Sequence, residues 1–306
     1  MIVTGKVPLS KAIYEQWQAL AIVLGVSVLV TLARYVISQK WIALQWIAIP
    51  FTPLTALGVA LGVFLSLRSN VVYNRYWEAR TLLGRLVNAS RTFPRQLATF
   101  LTGGTEEERD ALYREFCLRH LAFVRAFRAH LRDEDTRADI GHYLTPGEMA
   151  DLREVVNVPS ALLHRQGQEL HKAFRRGMIT EFHMPPVDES LTEFASILGG
   201  CEKIKNTPLP PAYTFLAHRI MLIYCCLLPF ALVDEIGILT PLLTVVISFA
   251  FLTLDRTSDL IEVPFATEDN DLPLNTIARN IEIELLQRIG ERDLPPKLEP
   301  VDGILL

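Results

Sequence analysis

Residues 51–68 read FTPLTALGVALGVFLSLR. Arg68 is the first charge after Lys40, so an apolar run that begins near Trp41 continues through Pro53 to Leu67 without a charged residue. About 20 predominantly apolar residues let an α-helix cross roughly 30 Å of hydrocarbon, and this run is long enough. Within it Gly58, Gly62 and Ser66 form a small-residue stripe at a spacing of four, which lets two helices approach closely. Beside it runs a second stripe, Val59, Val63 and Leu67, which is wholly aliphatic. On a single subunit this is a packing face. With several copies around an axis it lines a dry constriction of the kind that gates ions by dewetting. Leu65, on the same helix, is expected to face outward, away from that constriction.

Three more runs share this character. One goes from Ala19 to Leu32, broken only by Ser27 and Thr31, and reaches Ile37 past Arg34; the others are Ala212–Val233 and Ile236–Leu254. The first has no small-residue cleavage site behind a short apolar core, so it is not laid out as a signal peptide. Four runs with so few charges do not suit the core of a soluble protein. They predict an integral membrane protein with four transmembrane helices arranged as two hairpins.

Composition agrees. Half of the 306 residues are apolar although 21% are charged, and the mean hydropathy is +0.25. The average conceals two populations, the runs and the polar sequence between them. A net charge of −4 gives no electrostatic footprint for nucleic acid. Cys117, Cys201, Cys225 and Cys226 have no metal-ligand spacing and read as reduced packing residues.

The charges orient the chain. The link between the first two runs carries Lys40, and the link around Asp234 and Glu235 has no Lys or Arg. The long middle segment holds Arg75, Arg80, Arg85, Arg91, Arg95, Arg125, Arg128, Lys203 and Lys205. The positive-inside rule puts that segment, and with it both termini, in the cytoplasm. The expected division is 1–18 as a cytoplasmic N-terminal segment, 19–67 as the first transmembrane hairpin, and 68–211 as a helical cytoplasmic region. A second hairpin follows at 212–254, and 255–306 is a cytoplasmic C-terminal segment.

Helical patterns fill the middle. Leu82, Leu83, Leu86 and Phe93 recur at helical spacing between Arg75 and Leu101, and Glu106–Glu108 open another helix after Gly103 and Gly104. Leu112, Phe116, Ala122, Phe123 and Phe127 continue that second pattern. Further helices are predicted over Glu148–Val155, Ser160–Arg175 and Leu274–Ile289. The fold class is all-α.

Enzyme chemistry has no foothold. The sequence lacks a phosphate-binding glycine loop, a nucleophile elbow and a zinc-binding His pair, and no cofactor or metal is expected. His164 and His171 share a helix face and read as solvated surface. His218 and Arg219 lie near the entrance of the third run, where ionisable groups pair or face water and an arginine can snorkel to the interface.

After the second run comes Arg68-Ser69-Asn70-Val71-Val72-Tyr73-Asn74-Arg75-Tyr76-Trp77-Glu78-Ala79-Arg80. This resembles the signature that follows the second membrane helix in the bacterial branch of the bestrophin family. Asn206 to Thr214 (NTPLPPAYT) is similar to the turn opening the family's third membrane helix, and His218-Arg219 and Leu228-Pro229-Phe230 fit as well. Ile261 to Phe265 (IEVPF), Asn270 to Leu274 (NDLPL) and Ile281 to Leu286 (IEIELL) extend the likeness in order. Ala217 departs from it, because bacterial relatives often carry leucine there.

The resemblance implies a homopentameric ion channel in the lipid bilayer of the cell inner membrane. Four membrane helices per subunit and a helical cytoplasmic region would enclose the pore. It implies a hydrophobic neck at Val59, Val63 and Leu67, and a cytoplasmic aperture at Leu209. The permeant species would be small monovalent ions, with chloride or other anions first and a monovalent cation channel of the same fold as the alternative. The neck is aliphatic where animal members have aromatic rings, so the help that a ring edge gives an anion is missing. The acidic run Glu268-Asp269-Asn270-Asp271 is shorter than the calcium-binding run of animal channels and reads equally as a capping loop. A membrane-anchored helical scaffold or sensor is the reading from another class. A secondary transporter would need a matched pair of broken helices, and only Pro53 and Pro229 hint at one.

Overall fold

A computed structural model of the chain describes residues 9–39, 49–301 and 303–305. Expectations resting on residues 1–8, on Lys40 and on a helix start near Trp41 lie outside the described residues. Nine α-helices are described: α1 (Leu9–Gln39), α2 (Phe51–Phe100), α3 (Glu106–Leu131), α4 (Pro146–Asp151), α5 (Val158–Arg175), α6 (Met184–Asn206), α7 (Pro211–Ile236), α8 (Thr240–Asp259) and α9 (Leu274–Arg288). Among the described residues the only β-pairing is two isolated bridges, Leu101 with Ile179 and Val301 with Ile304. The all-α expectation holds.

The chain divides into two compact units. The apolar unit is drawn from Gly5–Asn74 and Pro208–Glu262, and the polar unit is built on Arg75–Thr207 and Val263–Leu306.

In the apolar unit α1, α7 and α8 pack on one another. Among the described residues, three helical stretches are long and apolar enough to cross a membrane, namely Ile13–Val36, Phe51–Phe100 and Ala212–Asp259. The last of these is broken in its middle. Gly237 sits at φ 55°, which suits a residue without Cβ, and its N–H closes α7 on the Val233 carbonyl. A single 3₁₀ turn, Gly237–Leu239, leads into α8, where the Thr240 hydroxyl donates to the Gly237 carbonyl at 2.6 Å. So α7 carries Asp234 and Glu235 inside its last turns, past the expected end at Val233. There Asp234 meets Arg34 of α1 at 2.8 Å.

Polarity in this unit is turned inside out. Leu24, Leu29, Leu32, Ile223, Leu242 and Val246 are exposed, while Ser27, Thr240, Thr244 and Ser248 are fully buried. Small polar side chains let helices pack closely where lipid removes the hydrophobic drive between them, and the apolar exterior needs lipid or partner chains to cover it.

The polar unit has an ordinary core, with Phe93, Phe116, Phe123, Phe127 and Phe194 fully buried among leucines. Its α3 begins on a capping box: Glu108 N–H donates to the Thr105 hydroxyl at 3.3 Å, and Thr105 N–H donates back to Glu108 at 2.9 Å. A second box at Thr145 and Glu148 opens α4, which stops at Asp151 rather than at the expected Val155. All four cysteines are free thiols, and burial pushes those of Cys117 and Cys201 up to about 12. His120 is enclosed by the rings of Phe93, Phe123 and Phe194, with Nε2 2.9 Å from the Ser90 hydroxyl. That burial pushes its imidazole down to about 3.

Two departures from the sequence reading stand out. The run ending at Leu67 and the helix expected from Arg75 are one helix, α2, because residues 68–74 contain neither Gly nor Pro. And α6, to which no expectation was attached, is 23 residues long and fully helical despite Pro185 and Pro186, which occupy its first turn, where proline is tolerated.

Candidate functional site

The site is built on the part of α2 that belongs to the apolar unit. Leu54, Leu61, Leu65, Arg68 and Val72 are buried, and at about 100° per residue these positions fall on one face. Val59, Val63 and Leu67 lie on the opposite face and are 64%, 56% and 58% exposed. The aliphatic stripe therefore points away from its own helices, and Asn70 and Asn74, also exposed, continue it as uncharged polar groups. Leu65 faces away from the aliphatic stripe, as expected. It is buried against the apolar core of its own unit, because it falls on the same face as Leu61 and Arg68.

The small-residue stripe is split in use. A Cβ at Gly58 would lie 2.5 Å from the Tyr224 hydroxyl, so Gly58 is where α7 closes on α2; around Gly62 nothing lies within 4 Å, and Ser66 is exposed.

Arg68 turns into the unit and is wholly buried. Its guanidinium binds Asp255, lies 2.5 Å from Asp259 and 3.4 Å from Glu262, all on or just after α8. From α7, His218 Nε2 is 2.9 Å from Asp255 Oδ2 and 3.1 Å from Asp259 Oδ2. Its Nδ1 is 3.0 Å from the Thr214 carbonyl. Beside the cluster the hydroxyls of Ser69 and Ser258 meet at 2.7 Å. Three helices are thus tied together at the level where the aliphatic stripe ends, and the arginine that follows the stripe contributes no charge to its face. Arg219, the neighbour of His218, is exposed with its guanidinium 5.0 Å from the Phe215 ring centre. The sequence reading singled out His218 without its partners. The spacing of Asp255, Asp259 and Glu262, four and then three residues apart behind an apolar run, was the available signal.

Leu209 sits on the turn between α6 and α7, partly exposed between two exposed prolines. The loop at Glu268 is closed by Asp271, whose buried carboxylate accepts the Glu268 N–H at 2.6 Å, and burial raises that carboxyl above the usual range. Asp271 is engaged as a loop cap. His164 and His171 are exposed and line an open groove between α5 and α6.

Comparison with known proteins is consistent along the chain. A family described as "Bacterial/Fungal Bestrophin protein" matches residues 7–287. The voltage-dependent anion channel-forming protein YneE of Salmonella typhimurium is 37% identical over 265 residues, covering 87% of this chain and 85% of that protein. The voltage-dependent anion channel-forming protein RSc3414 of Ralstonia nicotianae is 36% identical over the same share of both. Among solved structures, a bacterial bestrophin homologue from Klebsiella pneumoniae superposes with a TM-score of 0.81 at 31% identity, over 90% of this chain and 98% of that one.

Proposed function

Since this chain belongs to the bacterial and fungal bestrophin family, we propose that it is a homopentameric channel passing chloride or other small monovalent anions across the inner membrane. The observation that carries the reading is the outward aliphatic stripe of α2. Five copies of Val59, Val63 and Leu67 around an axis form a neck too apolar to hold water unless it widens. With Arg68 withdrawn into the helices, the neck carries no fixed charge, so it acts as a gate and leaves ion preference to its surroundings. The names of the relatives favour anions.

Four crossings follow from the break at Gly237. At 1.5 Å per residue α7 is about 39 Å long and α8 about 30 Å, each enough for the hydrocarbon layer. The arginine-rich polar unit and both termini lie on the cytoplasmic side. Leu209, on its proline-bounded turn, forms the second constriction.

Purified protein in a planar bilayer tests the reading. Unitary currents are expected, with a reversal potential near the chloride equilibrium potential in a KCl gradient. Reversal near the potassium potential would make it a cation channel of the same fold, and a silent bilayer together with a monomer by mass would leave the scaffold reading.

A further inference from the structure

The end of α6 is short of hydrogen-bond donors for a reason written in the sequence. A helical carbonyl takes the N–H four residues on. For Ile204 and Thr207 those residues are Pro208 and Pro211, and proline has no N–H to give. Arg75 of α2 supplies both donors, within the polar unit: its Nη2 donates to the Ile204 carbonyl at 2.8 Å, and its Nη1 donates to the Thr207 carbonyl. Ile204 is buried and Thr207 is exposed. Water satisfies an exposed carbonyl as well as a side chain does, so at Thr207 the consequence of the arginine is direction.

That direction is passed along the chain. The Thr207 oxygen lies in the peptide plane that it shares with the Pro208 nitrogen. A planar guanidinium with one arm on Ile204 and the other on Thr207 fixes how that plane is tilted as the chain leaves α6. Beyond it the backbone has little freedom. Thr207, at φ −121° and ψ 67°, is restricted by the proline after it. Pro208 and Pro210 have locked φ angles, Pro210 at −54°, and Leu209 stands between them. From these constraints we infer that Arg75 is a positioning residue for the aperture, setting through the Thr207 carbonyl where the Leu209 side chain stands. The inference rests on the proposed role of Leu209 as the second constriction. Lys205 anchors α6 differently: its Nζ donates to the His130 carbonyl at 2.7 Å and to Asp133 at 2.5 Å, which fastens the helix body to the end of α3 and leaves the Thr207 plane to Arg75.

A spin label on Leu209→Cys tests the positioning without reference to conduction. Cys226, the only cysteine that is not buried, is replaced by serine in every sample, and the full chain is measured in detergent by electron paramagnetic resonance. The slow-motion component of the spectrum is expected to be lost in Arg75→Gln and kept in Lys205→Gln, although both variants melt lower. An unchanged spectrum in Arg75→Gln, or the same loss in Lys205→Gln, overturns the inference. If Arg75→Gln fails to fold, Arg75→Lys takes its place: lysine keeps the charge without the planar fork, so a partial loss is expected, and a spectrum identical to that with arginine overturns the positioning. With Leu209 intact, Arg75→Gln in the bilayer is expected to shift the permeability of larger anions relative to chloride; unchanged ratios in a conducting protein overturn the aperture role. A silent bilayer counts against the channel reading alone, and the label then decides whether Arg75 places Leu209.

Discussion

Leu67 and Arg68 are adjacent in sequence and face different sides of α2: Leu67 stands out on the free face, while Arg68 is buried with its guanidinium on Asp255. One residue of helix rotation, about 100°, separates the exposed aliphatic stripe from the buried arginine.

Val63→Ala and Leu65→Ala should therefore behave oppositely. Val63 touches little in its own subunit, so its truncation is expected to raise conductance or open probability with a small change in melting temperature. Leu65→Ala removes core packing and is expected to cost about 2–5 kcal/mol, read as a lower melting temperature in detergent. Equal melting shifts in the two variants would place Val63 in a packed interface instead of a pore.

Arg68→Gln strands the three carboxylates. Removing one partner of a buried ion pair costs about 3–5 kcal/mol, so a strong loss of thermal stability is expected. Adding Asp255→Asn should recover part of it, because residues in one network are not additive. A double variant as unstable as the sum of the singles would mean that the pair does not hold the helices.

Gly58→Ala brings a methyl onto the Tyr224 hydroxyl, and overpacking of this kind costs about 1–3 kcal/mol. Tyr224→Phe should relieve it. Gly62→Ala has nothing to strike within its own subunit, so its expected effect is on assembly, seen as a loss of pentamer by native mass spectrometry. A pentamer indifferent to Gly62→Ala takes that face of α2 out of the subunit interface.

His120 should make the polar unit sensitive to mild acid. Its imidazole is held neutral in the fold, down to about 3, while in the unfolded chain it takes up a proton near 6.5. The unfolded state then binds more protons throughout that window. Stability is full above about pH 6.5 and falls by up to about 1.4 kcal/mol per pH unit below it. Urea melts at about pH 7, 6 and 5 should show this slope in the natural protein and not in His120→Phe; parallel slopes would assign the acid sensitivity to other groups.

Leu209→Ala separates an aperture from a staple. An aperture residue is expected to change relative permeability among anions of different size with little change in melting. A lower melting temperature with unchanged permeability ratios would remove Leu209 from the pore.

Much of this was legible in the sequence because hydropathy is a local property. Ala212–Val233 announces a membrane helix without knowledge of its neighbours, and the four-residue spacing of Val59, Val63 and Leu67 marks a single face. Which face is buried depends on what packs there, and that is why spacing alone does not tell that Leu65 meets the core of its own unit while Val63 stays exposed. Helical periodicity distinguishes faces, but it does not say which one meets α7. Arg68 could not be paired with Asp255 from spacing, since the two are 187 positions apart, and α6 carries no clear signal because its Pro185 and Pro186 look like breakers until a helix start is placed just before them.

The same separation sets an order of events in the making of the protein. At a synthesis rate of roughly 5–20 residues per second, the 187 positions that separate Asp255 from Arg68 take on the order of 10–40 s to synthesise. Throughout that interval Arg68 of α2 is without the aspartates that it binds in the finished fold. The pair closes only when α8 arrives with its aspartates, and a nascent chain cut short before Asp255 lacks the buried partner that Arg68 binds in the finished fold.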